Sequence, residues 1–231
     1  MSATTRARIE TVRNALGWLE RHGSKRMREQ MMPRYGITAA KAFGVRMGAI
    51  QQLAKRLGRD HDLAAALWDT GWYEARLLTA YVDEPERVTA VQMNRWARDF
   101  DNWAICDTLC FALWDRTPHA WRKVEQWSDR REQFVKRAAF ALLASMALHH
   151  KTAPHAPFTR SLRLIERAAT DDRNFVRKGV SWALRSIGRR NRELRASAIG
   201  VARKLAESPD AAPRWIGKDA LRDLTKVQLR P

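Results

Sequence analysis

The chain has 231 residues and carries 43 lysines and arginines against 25 acids, a formal net charge of +18. That length supports one sizeable core or one continuous array, and that charge calls for a polyanionic partner, nucleic acid or an acidic membrane surface. The longest apolar run, AAFALLASMAL at 138–148, is interrupted by Ser145 and is well short of the roughly 20 residues that span a bilayer, so no membrane association is expected.

From the N-terminus onward, apolar residues recur at intervals of three and four, the helical period, and no strand-length alternation is found. MSATTRARIE has no apolar stretch behind its charges, so no secretion signal is read and an intracellular, cytoplasmic location near the nucleoid is expected. The spacing predicts helices over 3–21, 24–33, 38–57, 61–69, 72–81, 85–98 and 102–114. It predicts further helices over 117–127, 130–149, 157–169, 173–188, 191–206 and 213–226. Gly23, Gly36, Gly58, Pro85, Pro118, Pro154, Pro157, Pro209 and Pro213 punctuate them. KTAPHAPF, with two of these prolines, reads as a surface connection and not as a boundary, which leaves a single domain over residues 1–231. The two cysteines, Cys106 and Cys110, are four apart, and the histidines scatter apart from His149, His150 and His155. These spacings do not make a metal site, and no metal is expected.

An internal repeat is visible. QFVKRAAFALLAS at 133–145 aligns without gaps on NFVRKGVSWALRS at 174–186, an offset of 41 residues, within the range of two-helix HEAT-type units of about 40–47 residues. WYEARLLTAYV and NWAICDTLCFALW are looser copies upstream. The expected fold class is therefore all-α, a solenoid of HEAT-like helical repeats with one extended concave face.

Superposing the helices that start at Asn102, Gln133 and Asn174 puts Trp103, Arg137, Asp107 and Trp182 at phases one, four, five and eight, one face of a helix. The apolar set of the second and third helices, Val135, Leu142, Met146, Val176, Val180, Ala183 and Ile187, clusters about 140° away at 100° per residue. Trp182 and Arg137 are thus expected to point off the core. A wider basic surface for phosphates is expected from Lys136, Arg177, Lys178, Arg185, Arg189 and Arg190.

NWAICDTL, FVKRAAFALL and FVRKGVSWALR, in that order, resemble the three signature helices of the DNA alkylation repair family, the AlkD-like HEAT-repeat alkylpurine DNA glycosylases. The likeness is best over about 65–190. It implies a right-handed superhelix with duplex DNA in a concave basic groove, and excision of positively charged N3- or N7-alkylated purines by a monomer without metal or organic cofactor. Carried over, the catalytic aspartate is Asp107, the two active-site tryptophans are Trp103 and Trp182, and the groove arginine is Arg137. The resemblance also implies a target base that stays largely stacked, and no deep-pocket signature is read from the sequence. The alternative is a non-catalytic module of the same fold that binds distorted or branched DNA. A protein-binding HEAT scaffold fits the +18 charge and the indole-carboxylate face less well.

Overall fold

The computed structural model describes residues 3–226. Its helices begin where a short polar side chain can take up the orphan amides of the first turn. Ser24, Asp60, Asn102 and Asn191 each accept a hydrogen bond from a backbone N–H two or three residues on, and Thr89 with Gln92 forms a reciprocal capping box. The described residues hold thirteen α-helices, one 3-10 turn and no strand. In order these are α1 (Ala3–Arg21), α2 (Lys25–Tyr35), α3 (Met47–Leu57), α4 (His61–Asp69), α5 (Tyr73–Val82), α6 (Ala90–Arg98) and α7 (Trp103–Ala112). After the 3-10 turn at Trp114–Arg116 come α8 (Ala120–Ser128), α9 (Gln133–His149), α10 (His155–Ala168), α11 (Asn174–Gly188), α12 (Arg192–Ala206) and α13 (Ala211–Leu224).

The predicted helix over 38–57 is half wrong, because residues 36–46 are irregular and only Met47–Leu57 is helical. Gly36 ends α2 in the left-handed region at φ 61°. Gly44 sits at φ 80°, and a Cβ there would lie 2.3 Å from the carbonyl oxygen of Ser24, so this backbone approach admits only glycine. The amides of Phe43, Gly44 and Val45 donate not to a helix but to the buried carboxylate of Glu74, at 3.0, 2.7 and 3.2 Å. A carboxylate 29 to 31 residues away in sequence has outcompeted the local ladder. The other large shift is α6, which starts at Ala90 behind its Thr89 cap and not at Pro85.

The chain divides into two compact units, one ending at Thr117 and the other starting at Pro118. In the N-terminal unit α5 packs between α3 and α7, with α4 against α5 and α1 against α4. Trp68 of α4 stacks on Trp96 of α6 at 4.4 Å and donates from Nε1 to Asp99 at 2.8 Å, which satisfies its one polar atom.

In the C-terminal unit α9, α11 and α13 form one row and α8, α10 and α12 a second row against it. The helices aligned as a repeat, α9 and α11, pack directly on each other, and their equivalent rings Phe134 and Phe175 meet at 5.4 Å. Val135, Leu142, Met146, Val176, Val180, Ala183 and Ile187 are all buried, as their phase predicts.

Candidate functional site

The start of α7 sets the first part of the site. The side-chain oxygen of Asn102 accepts from the amides of Ala104 and Ile105 at 3.0 and 3.1 Å, and its amide group donates to Asp101 at 2.6 Å. Helix geometry then stacks Trp103 and Asp107 one turn apart on the side opposite to buried Ile105 and Leu109. Both are half-buried. The Trp103 indole is held, since Nε1 donates to the Tyr35 carbonyl at 2.8 Å and the ring packs against Met31, Ile37, Ala42 and Ala104.

Trp103 and Asp107 line a cavity of about 260 Å³ that lies wholly within the N-terminal unit. Its walls include Met27 and Met31 of α2, Val45 and Arg46 of the irregular segment, Met47 of α3, and Tyr73, Glu74 and Leu77 of α5. No deep-pocket signature is read from the sequence, and the structure places this small, half-open hollow beside Trp103 and Asp107. The reason is the 36–46 segment, which a helix would have carried elsewhere and which Glu74 draws across α5. Burial, reinforced by the Glu74 and Asp101 carboxylates, pushes the Tyr73 hydroxyl well above the usual tyrosine range, so it stays a proton donor at any ordinary pH. Arg46 is exposed on the same lining.

Glu74 and Arg46 were not singled out from the sequence. A usable signal existed for the first, because Glu74 stands three and four residues before the buried Leu77 and Leu78 and so shares the apolar face of α5. An acid there must have buried partners. Arg46 carries no comparable signal.

The C-terminal unit places the remaining predicted residues on α9 and α11 and the turn after α11. Trp182 is half-buried on α11. Arg137 does not point outward: it is 7% exposed, and its guanidinium donates to the Phe175 carbonyl at 2.6 Å, bracing α9 against the first turn of α11. Lys136 pairs with Asp171 at 3.0 Å. With Arg173, which bonds it more strongly, Lys136 holds the Asp171 carboxyl down to about 2. Arg177 lies 4.4 Å over the Trp215 ring, a cation–π contact. Arg185 reaches Asp219 at 3.5 Å, and Arg189 bonds Asp223 through Nε at 3.0 Å.

Arg190 departs furthest from the expected phosphate contact. It donates to the carbonyls of Ala147 and His150 at 2.7 and 2.8 Å and covers the Phe158 ring at 4.0 Å. It therefore caps the end of α9 and ties down the loop after it. Lys178 is exposed, as a phosphate contact requires.

Cys106 and Cys110 are buried thiols, and burial pushes Cys110 well above the ordinary thiol range. Among the described residues no group of three His, Cys, Asp or Glu side chains could hold a metal ion. No helix of the described residues is long and apolar enough to cross a membrane.

The family model described as DNA alkylation repair enzyme matches residues 11–224. The chain belongs to that family. A protein of "a new family of proteins related to the HEAT-like repeat DNA glycosylases with affinity for branched DNA structures" superposes with a TM-score of 0.75 at 16% identity, covering 91% of this chain and 94% of the other. At that identity the likeness establishes the HEAT-like repeat fold alone. A designed armadillo repeat protein in complex with a (KR)4 peptide covers 96% of this chain and 95% of its own at 13% identity and a TM-score of 0.45. No curated protein sequence matches the chain.

Proposed function

We propose that this family member is a monofunctional DNA glycosylase for positively charged N3- or N7-alkylated purines in duplex DNA. The observation that carries the reading is the pairing of Trp103 and Asp107 on one cavity wall, in a chain of the DNA alkylation repair family. A cationic purine is already a good leaving group. As the C1′–N bond breaks, its electron pair goes to the base and the sugar becomes oxocarbenium-like. The Asp107 carboxylate steadies that cation and orients the attacking water, whose proton it can accept as the new C1′–O bond forms. The Trp103 ring face attracts the positive charge of base or sugar, and Trp182 is assigned the same role on α11. Arg46 and Lys178, both exposed, serve phosphates. Arg137, Lys136, Arg177, Arg185, Arg189 and Arg190 contribute positive potential while engaged with their own protein partners.

A second reading is kept for one reason. Lys136 of α9, Arg185 of α11 and Arg189 just after it are engaged by Asp171, Asp219 and Asp223, and the structural relative is described by its affinity for branched DNA. A module that recognises distorted DNA without cleaving it would have the same fold. Purified protein incubated with methylated DNA separates the two. Release of 3-methyladenine or 7-methylguanine, lowered by roughly 10² or more in Asp107→Asn, supports the glycosylase. Tight binding to junction DNA with no released base, equal in wild type and Asp107→Asn, would replace it with the binder.

A further inference from the structure

We propose that the cleft between α1 and α3 is a second nucleic-acid site, which holds a short unpaired strand with its phosphates on Arg13, Arg21 and Arg56 and a base on the Trp18 ring. The inference is independent of the glycosylase reading and involves neither Trp103 nor Asp107.

The cleft is a cavity of about 600 Å³, in the middle of the range of small-ligand sites, about 300–1,000 Å³. It lies within the N-terminal unit and shares no lining residue with the hollow beside Asp107. Arg56 on its lining and Met47 on that of the hollow stand nine residues apart on α3. At 100° per residue they point to opposite sides of the helix.

Charge decides what the cleft attracts. The exposed guanidiniums of Arg13, Arg21 and Arg56 line it and no carboxylate does; the acids of α1, Glu10 and Glu20, lie outside the lining. Among the described residues none of these three cations has an acid partner, unlike Lys136, Arg185 and Arg189. A wall of one sign draws an anion. Arg13 and Arg21 are eight residues apart, about 12 Å along the α1 axis, a spacing that serves successive phosphates of a strand. Between them Gly17 has no side chain, and a Cβ placed there would lie 3.3 Å from Nη1 of Arg21. The glycine thus leaves room for that guanidinium to fold back across α1.

Trp18 supplies the ring. It is half-buried, and His22 holds it: the imidazole stacks on the indole at 3.7 Å and its Nδ1 donates to the Trp18 carbonyl at 2.8 Å. Asn14 adds a side-chain amide for a base edge. Cations that track the backbone beside an aromatic on which a base stacks are the elements of single-strand recognition. The bases of a paired duplex stack on one another and offer no free face to an indole, so the unpaired strand is the ligand selected.

The test is fluorescence anisotropy of the full-length protein with a blunt duplex and with the same duplex carrying a short oligo-dT overhang. The overhang should tighten wild-type binding by roughly 10-fold or more. Arg13→Ala/Arg56→Ala should erase that advantage, and Arg21→Glu should do the same; all three positions are exposed, so the melting temperature should hold. Trp18→Leu should lose most of the advantage and Trp18→Phe, which keeps a ring in the half-buried position, should retain it. Arg163→Ala, exposed on α10, should change nothing. An iodouracil in the overhang should cross-link on irradiation to residues 11–21, read by mass spectrometry. An overhang that brings no gain in the wild type, or a gain that survives in both arginine variants, overturns the site. Displacement of the overhang by dTMP as readily as by oligo-dT overturns the strand in favour of a free nucleotide. Base release enters none of these measurements, so the site and the glycosylase stand or fall separately.

Discussion

The two units answer the same design problem differently. In the C-terminal unit regular helices stack in two rows, and Lys136 of α9, Arg185 of α11 and Arg189 just after it pair with Asp171, Asp219 and Asp223. In the N-terminal unit the regularity fails between α2 and α3, and a buried Glu74 holds an irregular wall beside Trp103 and Asp107. The difference teaches that repeat order serves stability, while the break between α2 and α3 makes the cavity.

The sharpest way to break the comparison is to remove the prop. Glu74→Ala leaves three buried amides without their acceptor, each worth about 1–3 kcal/mol, so a loss of roughly 3–5 kcal/mol is expected, with protease cleavage inside 36–46. Melting curves and mapped cleavage sites check it, and an unchanged melt would mean that the segment is held by something else.

The chemistry should then separate from the stability. Asp107→Asn is expected to slow base release by roughly 10², about 2.7 kcal/mol of barrier, with no drop in melting temperature. Asp223→Asn should do the reverse and lower the melt with little effect on release. Parallel single-turnover rates and melts decide whether the carboxylates of the two units really have different duties.

Trp182 sharpens the contrast from the other side. Because it is half-buried, Trp182→Ala is expected to reduce stability by only about 1–2 kcal/mol, against the roughly 3–5 of a fully buried aromatic, and to lower excision in protein that remains folded. A loss at the higher figure would make Trp182 a packing residue of the repeat row.

Asp171 lets a pH titration report on the C-terminal unit. The Asp171 carboxyl is held near 2 against an unfolded value near 3.8. Its contribution, on the order of 1–2 kcal/mol, is therefore complete above about pH 4 and is lost as pH falls toward 2. Asp171→Asn should flatten that limb of the stability curve, and an identical acid limb in the variant would count against the pair with Lys136 and Arg173.

The smallest effects are those of single cations on DNA affinity. Lys178→Ala should reduce the log–log salt slope of duplex binding by about 0.9, the value of one phosphate contact. Arg190→Ala should leave the slope unchanged and instead loosen the end of α9, seen as faster amide exchange at residues 147–153. Equal slope changes in both would erase the distinction between exposed and engaged cations.

What the sequence by itself determined is everything encoded within a turn or two of helix. The three-and-four spacing marks the helices, Asn102 fixes the register that stacks Trp103 on Asp107, and the likeness of 133–145 to 174–186 announces two helices that prove to pack together. The motifs that carry the family resemblance are of the same local kind. The tertiary structure alone decided which charges are available. Arg137, Arg185, Arg189 and Arg190 look like Lys178 in sequence, yet each meets a partner 34 to 43 residues away. It also decided the path of 36–46, where the local pattern favours a helix and a carboxylate from α5 wins. Periodicity is a property of neighbours in the chain, whereas a buried ion pair or a redirected backbone depends on contacts that exist only once the repeats are stacked.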